Sequence, residues 1–150
     1  MTSHDYFPAP IDGKFCKDNP RRFTLDTDFV YDDPEKDIRV VVPAGFTTDF
    51  SSIPSLFWAY MAPWEHPEAG VVHDWLYKSP AAFASTTYKP PLTQAQCDDM
   101  YRRILDLKGV RWSKRQTLWS ILRIAGGVSW NRHRAADSAP PPTSSGEEAK

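Results

Sequence analysis

The stretch VVHDWLY, residues 71–77, sets two ionisable side chains, His73 and Asp74, side by side inside an otherwise apolar run. On a helix, His73 and Tyr77 are four residues apart and share a face, whereas the Asp74 side chain leaves the same turn in another direction. We expect the domain to be organised around this helix, because any chemistry that the chain performs starts from these groups.

The imidazole of His73 is suited to general-base catalysis. An imidazole with a pKa near its ordinary value of about 6.5 takes a proton from water at neutral pH, and it does so best when a carboxylate fixes its tautomer. That orienting carboxylate is expected from elsewhere in the chain. Without it, His73 is better interpreted as a core histidine and Asp74 as a surface charge.

Two later helices have clear starts in the sequence. Residues 93–96 (TQAQ) and 113–116 (SKRQ) both fit a capping box, in which a hydroxyl caps a backbone N–H and a glutamine reaches back. The first helix is predicted to run to about Lys108. The second is predicted over residues 114–124 and to end at the glycine pair 126–127.

The first of these helices carries two neighbouring acids that differ in their surroundings. Asp99 is followed by arginines three and four residues later, which is typical of a solvated ion-pair face. Asp98 is instead followed by Tyr101 and Leu105, so it borders the apolar stripe of the helix. A carboxylate at a buried border requires a partner. Asp98 is therefore predicted to be the carboxylate that orients His73.

The first third of the chain predicts a small antiparallel sheet. Residues 1–20 suit an irregular arm or a short edge strand around residues 11–16. Residues 23–31 alternate apolar and polar side chains in their first half, as a half-buried strand does. Residues 32–37 have the composition of a turn. The β-branched run 38–42 predicts a second strand that pairs with the first, and residues 43–45 end it.

The segment FTTDFSSIP, residues 46–54, reads as a corner between a strand and a helix over residues 56–61. Its serines would cap that helix and its proline would begin it. Alternatively, Asp49 or the hydroxyl groups of this segment belong to a site beside His73. Residues 62–70 are predicted as a loop, and so are residues 79–91. His66, in the first loop, matches no zinc-binding spacing and is interpreted as a loop residue.

The totals predict one loop-rich α+β domain over residues 1–134, with a small N-terminal antiparallel sheet or hairpin followed by three to four helices. The 150 residues are 41% hydrophobic, and 14 prolines argue for many turns. Residues 135–150 are too polar to bury anything and are predicted to be disordered. With no signal peptide and no transmembrane segment in the sequence, we expect a soluble protein made in the cytoplasm.

The charge is distributed unevenly along the chain. Residues 1–50 hold ten acidic and six basic side chains, whereas residues 102–134 hold nine basic side chains and the single acid Asp106. A basic face of this kind attracts nucleic acid, anionic lipid or an acidic protein, or is simply a solvated helix surface. Nucleic-acid binding ranks last of the functions considered, because no recognised binding motif accompanies the basic residues.

Three blocks in order resemble an uncharacterised bacteriophage and prophage domain family. They are VPAGFTTDFSSIP (residues 42–54), VVHDWLY (residues 71–77) and Asp98 followed by Tyr101, and the resemblance covers roughly residues 23–130. The resemblance implies a phage or prophage origin. It implies no function, because that family has no settled activity.

The order His-Asp-x-x-Tyr on one helix and Asp on a following helix is similar to phospholipase A2 domains, including the disulfide-free ones of parvovirus capsids. There the His is the general base, the adjacent Asp binds calcium, and the Tyr supports a second Asp that orients the His. By position, the resemblance implies these roles for His73, Asp74, Tyr77 and Asp98. Calcium takes oxygen ligands and polarises the ester carbonyl in such a site.

The sequence departs from the phospholipases just before His73. Residues 63–70 offer only Gly70 where those enzymes have a glycine-rich calcium loop. The carbonyl ligands of calcium are therefore unaccounted for, and Asp49 is a hypothetical side-chain ligand in their place.

The leading expectation is a phage-encoded, calcium-assisted hydrolase that acts on an ester at the cell envelope, where its basic face meets anionic membrane. The alternative is a non-catalytic phage structural or accessory protein, associated with the tail or baseplate. In that protein the same residues brace the fold, and its partners are virion proteins. Both are expected to be made in the host cytoplasm, and the second to be incorporated in the virion.

Overall fold

The computed structural model describes residues 6–19, 22–49 and 65–137, and within them it shows an α+β domain. Two small antiparallel sheets are followed by three helices, which confirms the predicted fold class. The strands are β1 (Gly13–Phe15), β2 (Phe23–Leu25), β3 (Phe29–Asp33), β4 (Ile38–Val42) and β5 (Thr47–Thr48), and the helices are α1 (Pro67–Lys78), α2 (Gln94–Leu107) and α3 (Trp112–Asp137).

The predicted antiparallel hairpin forms, but with a shorter first strand than expected. β3 pairs with β4, beginning with Phe29 opposite Val42. The single strand predicted over residues 23–31 is instead two strands, and β2 pairs with β1 and β5 in a separate sheet. The break contains Asp28, whose carboxylate accepts a hydrogen bond from the backbone N–H of Ala44 at 2.8 Å. Side-chain bonds of this kind compete with a strand ladder.

The first helix begins inside a segment that the sequence predicts as a loop. That loop was expected over residues 62–70, but α1 begins at Pro67 and includes Gly70. Proline suits the first turn of a helix, because the N–H that it lacks has no partner there. His66, predicted as a loop residue, directly precedes the helix and makes no side-chain capping bond. The predicted helix over residues 56–61 and its capping serines lie outside the described residues.

The two predicted capping boxes have different outcomes. That of α2 is confirmed, because the side chains and backbone N–H groups of Thr93 and Gln96 bond to each other reciprocally. Gly109, with a φ of 75°, follows this helix in the conformation that glycine favours. The second box is wrong, because α3 begins at Trp112 and Ser113 therefore lies inside its first turn.

The third helix continues through the glycine pair 126–127 that was predicted to end it. Two contacts with α1 explain this difference. Gly126 is buried against the hydroxyl group of Tyr77, and the guanidinium group of Arg134 donates to the carbonyl oxygen of Tyr77 at 2.8 Å. Tertiary packing of this kind outweighs the low helix propensity of glycine, about 1 kcal/mol per residue relative to alanine.

The end of α3 lies three residues beyond a predicted boundary. The sequence predicts a domain over residues 1–134 and a disordered tail over residues 135–150. Residues 135–137 belong to the last turn of α3, and the division into a domain and a tail stays a prediction. Residues 138–150 lie outside the described ones.

The core is built around α1, which packs against both α2 and α3. The side chains of Val71, Val72 and Leu76 are fully buried, as expected for the run that organises the domain. Cys97 on α2 is a buried free thiol. Among the described residues, none of the helices is long and apolar enough to cross a bilayer.

Candidate functional site: a buried histidine between two carboxylates

The side chain of His73 lies between α1 and α2 and is 1% exposed. Its Nε2 atom is 2.8 Å from Oδ1 of Asp98, which lies in the first turns of α2. A carboxylate at the buried border of α2 is what the helical spacing of Asp98 predicts. The structure therefore brings together the two residues that the sequence assigns to a base and its orienting acid.

The carboxylate of Asp98 has partners on both oxygens and is fully buried. The hydroxyl group of Tyr77 donates to Oδ1 at 2.6 Å, and the guanidinium group of Arg123 donates to Oδ2 at 3.2 Å. Burial alone would raise the pKa of Asp98, but the bonds from His73, Tyr77 and Arg123 outweigh it and lower the pKa. Asp98 is therefore an ionised acceptor at neutral pH.

The opposite edge of the His73 ring, which carries Nδ1, lies near the second carboxylate of the site. Nδ1 lies 3.7 Å from Oδ1 of Asp74, which is beyond hydrogen-bond distance but within the range of an ion pair. The second oxygen of Asp74 accepts a hydrogen bond from the hydroxyl group of Thr48 at the end of β5. Asp74 thus links the N-terminal sheet to α1 while it faces the imidazole.

These two carboxylates control the protonation of His73. Burial lowers the pKa of an imidazole, but the interactions with Asp74 and then Asp98 outweigh it, so the pKa of His73 lies above its ordinary value. Because Nε2 is held by Asp98, the neutral ring is expected to carry its proton on Nε2 and its lone pair on Nδ1. The lone pair on Nδ1 then faces the carboxylate of Asp74.

The position of Tyr77 depends on the third helix. The Tyr77 ring lies against the His73 ring with centroids 4.1 Å apart and against Trp130 of α3 at 5.2 Å. A Cβ atom added at Gly126 would lie 2.5 Å from the Tyr77 hydroxyl oxygen. The absence of a side chain at Gly126 is therefore what lets α3 approach the hydroxyl group that bonds to Asp98.

The two predicted metal ligands are differently placed. Asp74 is 6% exposed, whereas Asp49 is an exposed residue directly after β5. Successive side chains of a strand point to opposite faces, so Thr48 points inward and Asp49 outward. Within residues 6–19, 22–49 and 65–137, no three histidine, cysteine or acidic side chains are grouped to hold a metal ion. These residues alone do not fit a calcium site, and calcium stays a prediction.

Of three further residues that complete the site, sequence reasoning anticipated one in part and missed two. The hydroxyl groups of the Thr-Thr-Asp block were one alternative for the site, but the sequence does not tell that Thr48 is the one that points inward. No pattern in the sequence assigned Arg123 to the site, and Gly126 was interpreted as the end of the helix that carries both. A glycine pair inside a helical pattern is the one available signal, because it also marks a close approach between helices.

The fold and the site together define a class: an α+β domain whose central helix presents a buried histidine to a carboxylate on the next helix. The chain belongs to the family described as Protein of unknown function (DUF1353), whose model matches residues 23–121. The match includes His73, Asp74 and Asp98 but ends before Arg123. The expectation of an uncharacterised domain family is thereby confirmed. Neither the curated proteins nor the solved structures contain a significant match.

Proposed function

We propose that the protein is a hydrolase of phospholipase A2-like type, encoded by a phage or prophage, in which His73 activates water against an ester at the cell envelope. One observation carries the proposal: Nε2 of His73 is 2.8 Å from the same Asp98 oxygen that accepts the Tyr77 hydroxyl at 2.6 Å. A carboxylate held by a third group fixes the tautomer of the imidazole, as general-base catalysis requires.

The chemistry uses the two ring nitrogens of His73 in different ways. Nε2 keeps its proton and donates a hydrogen bond to Asp98. Nδ1 takes a proton from water as the water oxygen bonds to the ester carbonyl carbon. The same proton passes from Nδ1 to the leaving alcohol oxygen when the carbon–oxygen bond breaks. Assistance of this type contributes roughly 100-fold to 10,000-fold to the rate.

Access to Nδ1 sets a requirement on this mechanism. His73 is 1% exposed, so an ester reaches the ring only when the side of the ring that faces Asp74 opens. The nine basic residues between Arg102 and Arg134 would hold the protein at an anionic membrane, where such an ester is found.

The same burial favours a second candidate function. A histidine that has no exposed edge and is held by a carboxylate also suits a purely structural role. The second candidate is a non-catalytic component of the phage particle, associated with its tail or baseplate, in which the network braces the fold. The two candidates differ in activity and not in stability, because His73 contributes to folding in both.

The experiment is a hydrolysis assay with the full chain. Vesicles of equal parts phosphatidylglycerol and phosphatidylcholine are mixed with the protein, and fatty acid release is measured with calcium and with a chelator. Wild type is compared with His73→Gln, and with His66→Gln as the matched control. His66 precedes the same helix and makes no side-chain capping bond. Circular dichroism melting shows that each variant is folded.

The hydrolase proposal expects release by wild type and by His66→Gln, and a rate at least 100-fold lower for folded His73→Gln. Abolition of the wild-type rate by the chelator would support the predicted role of calcium. Hydrolysis that persists in His73→Gln would contradict the assigned base. A folded wild type that releases no fatty acid from these vesicles or from short-chain esters would favour the particle component.

A further inference from the structure

A second site lies on the other side of α2 from Asp98. It is a cavity of about 410 Å³ whose walls are α2, the β3–β4 hairpin, the loop over residues 79–91 and the start of α3. A cavity of this size is in the range that holds small molecules. None of the side chains that line it belongs to the network around His73, so any ligand bound there is separate from the proposed ester chemistry.

The lining of the cavity holds more cations than carboxylates. Four cations and two carboxylates line it, and Arg103 is paired with Asp33 and Glu35, which do not line it, so Lys36 carries the positive charge that no carboxylate among the described residues balances. A positive charge in a concave site raises the local concentration of ligands of the opposite sign. The lining cations are Lys36, Arg102, Arg103 and Arg115, and the carboxylates are Asp99 and Asp106.

One of these cations is available to a ligand. The three arginines are already paired with carboxylates: Arg102 with Asp99, Arg103 with Asp33, and Arg115 with Asp106. The ammonium group of Lys36, in the turn of the hairpin, has no hydrogen-bond or ion-pair partner among the described residues. A bound anion would gain a direct charge contact there without breaking an existing ion pair.

Aromatic rings form part of the same lining. Trp112 at the start of α3 is 68% exposed, although burying a tryptophan is strongly favourable in water. Tyr88 lies in the facing loop, which Asp37 holds by accepting the backbone N–H groups of Thr86 and Thr87 at 2.8 and 2.7 Å. An exposed aromatic ring that lines the same cavity as a cation can stack on the base of a nucleotide while the cation binds its phosphate.

Two amide side chains add hydrogen-bonding capacity to the cavity. Gln96 and Gln116 both line it, and each uses its carbonyl oxygen as an acceptor, from Thr93 and Arg102 respectively. The NH₂ groups of the two amides are the donors that remain. Amide donors of this kind recognise the oxygen and nitrogen acceptors at the edge of a base.

From the available Lys36, the exposed Trp112 and the amide donors we infer that this cavity binds a nucleoside phosphate. The phosphate group contacts the ammonium group of Lys36, and the base stacks on the ring of Trp112 or Tyr88. The same chemistry is offered by a free nucleotide and by one nucleotide of a single strand. The inference does not depend on the hydrolase proposal, because it concerns binding at residues that the ester chemistry does not use.

The experiment is isothermal titration calorimetry with the full chain. The probes are adenosine monophosphate, adenosine, inorganic phosphate and a single-stranded DNA decamer. The variants are Lys36→Met and Trp112→Ala, and the matched controls are Lys17→Met, another exposed lysine, and Ile124→Ala, another exposed apolar residue of α3. All four substitutions are at exposed positions, and circular dichroism checks that each variant is folded.

Adenosine monophosphate is expected to bind to wild type and to both controls, and roughly ten-fold more weakly to Lys36→Met and to Trp112→Ala. Adenosine and phosphate alone are expected to bind at least ten-fold more weakly than the nucleotide. A decamer that binds more tightly than the nucleotide, with an affinity that falls steeply with salt, identifies a single strand as the source. A decamer that binds no more tightly identifies the free nucleotide.

Three results would overturn the inference. They are no binding of adenosine monophosphate to folded wild type at millimolar concentration, equal binding of adenosine and its monophosphate, and variants that bind as tightly as their controls. None of these results bears on ester hydrolysis, so the two proposals fail or succeed separately.

Discussion

Asp98 and Asp99 are neighbours in α2, yet they lie in opposite surroundings. The side chain of Asp98 is fully buried and bonds to His73, Tyr77 and Arg123. The side chain of Asp99 is 52% exposed, lines the open cavity, and bonds to exposed or partly exposed groups of α2 and α3. A rotation of about 100° along one helix separates a closed network from an open one.

The difference between the two faces indicates what each can do. On the closed face, every oxygen of Asp98 has a fixed donor, so the orientation of the imidazole is set before any substrate arrives, as catalysis requires. On the open face, ion pairs are exposed to water and are individually weak, but they keep a charged, concave surface accessible. The buried face is where we propose chemistry, and the exposed face is where we propose ligand binding.

The largest change in the free energy of unfolding is expected from neutralising Asp98, in comparison with neutralising Asp99. Asp98→Asn leaves the buried His73 ring and the Arg123 guanidinium group without their carboxylate, so it should lower the free energy of unfolding by about 3 kcal/mol. Asp99→Asn, at a solvated ion pair, should change it by no more than about 0.5 kcal/mol. Urea unfolding measures both. Equal losses in the two variants would contradict the contrast between the faces.

The two glycines of α3 provide a second comparison. Gly126→Ala places a methyl group 2.5 Å from the Tyr77 hydroxyl oxygen and should cost about 1–3 kcal/mol through displacement of Tyr77 from Asp98. At Gly127 the nearest atom is 4.0 Å away, so Gly127→Ala should stabilise the helix by up to about 1 kcal/mol. Thermal melting of both variants tests the pair. Destabilisation by both would show that the helix, and not the contact with Tyr77, is sensitive.

The closed face also predicts a pH dependence of stability. The pKa of His73 is raised in the folded state, so its contribution is fully present below about pH 6.5 and is lost as pH rises through the folded pKa. The difference in unfolding free energy between wild type and His73→Gln should therefore shrink from pH 6 to pH 9. When both proteins also carry Asp98→Asn, this difference should shrink less with pH. When both carry Asp99→Asn, it should shrink as much as it does without that substitution. A difference that is constant with pH would show that the His73 pKa is not raised.

The smallest effect distinguishes the two helix starts. Thr93→Ala removes the confirmed cap of the helix that carries both acids, and it should lower the unfolding free energy by about 1 kcal/mol. Ser113→Ala should change it by less than about 0.5 kcal/mol, because Ser113 lies inside the first turn of α3. Chemical denaturation of the two variants gives this comparison. A larger loss at Ser113 would mean that its hydroxyl group does cap α3.

The contrast between the acids could be predicted from sequence, because it depends on helical periodicity alone. The spacing of Asp98 from Tyr101 and Leu105 identified the buried acid, and the spacing of Asp99 from its arginines identified the exposed one. The confirmed capping box at Thr93 fixed the helix that carries both. Local rules of this kind hold where a single element determines the outcome.

The remaining features depend on contacts between elements that are distant in the chain. The length of α3 follows from the fit of Gly126 against Tyr77, 49 residues earlier in the sequence. The roles of Thr48 and Arg123 follow from the way β5 and α3 pack around α1 and α2. The cavity was also missed, because its lining comes from four separate segments. No pattern within one segment predicts contacts between segments that are distant in the chain.

The most direct test of the central claim is an NMR titration of the His73 ring in ¹⁵N-labelled protein. The account predicts that the neutral ring carries its proton on Nε2, bonded to Asp98, and that the pKa lies above about 6.5 in wild type and falls in Asp98→Asn. Asp99→Asn should leave both unchanged. A neutral ring protonated on Nδ1, or a pKa that is the same in wild type and Asp98→Asn, would contradict the assignment of His73 and Asp98 as an oriented base.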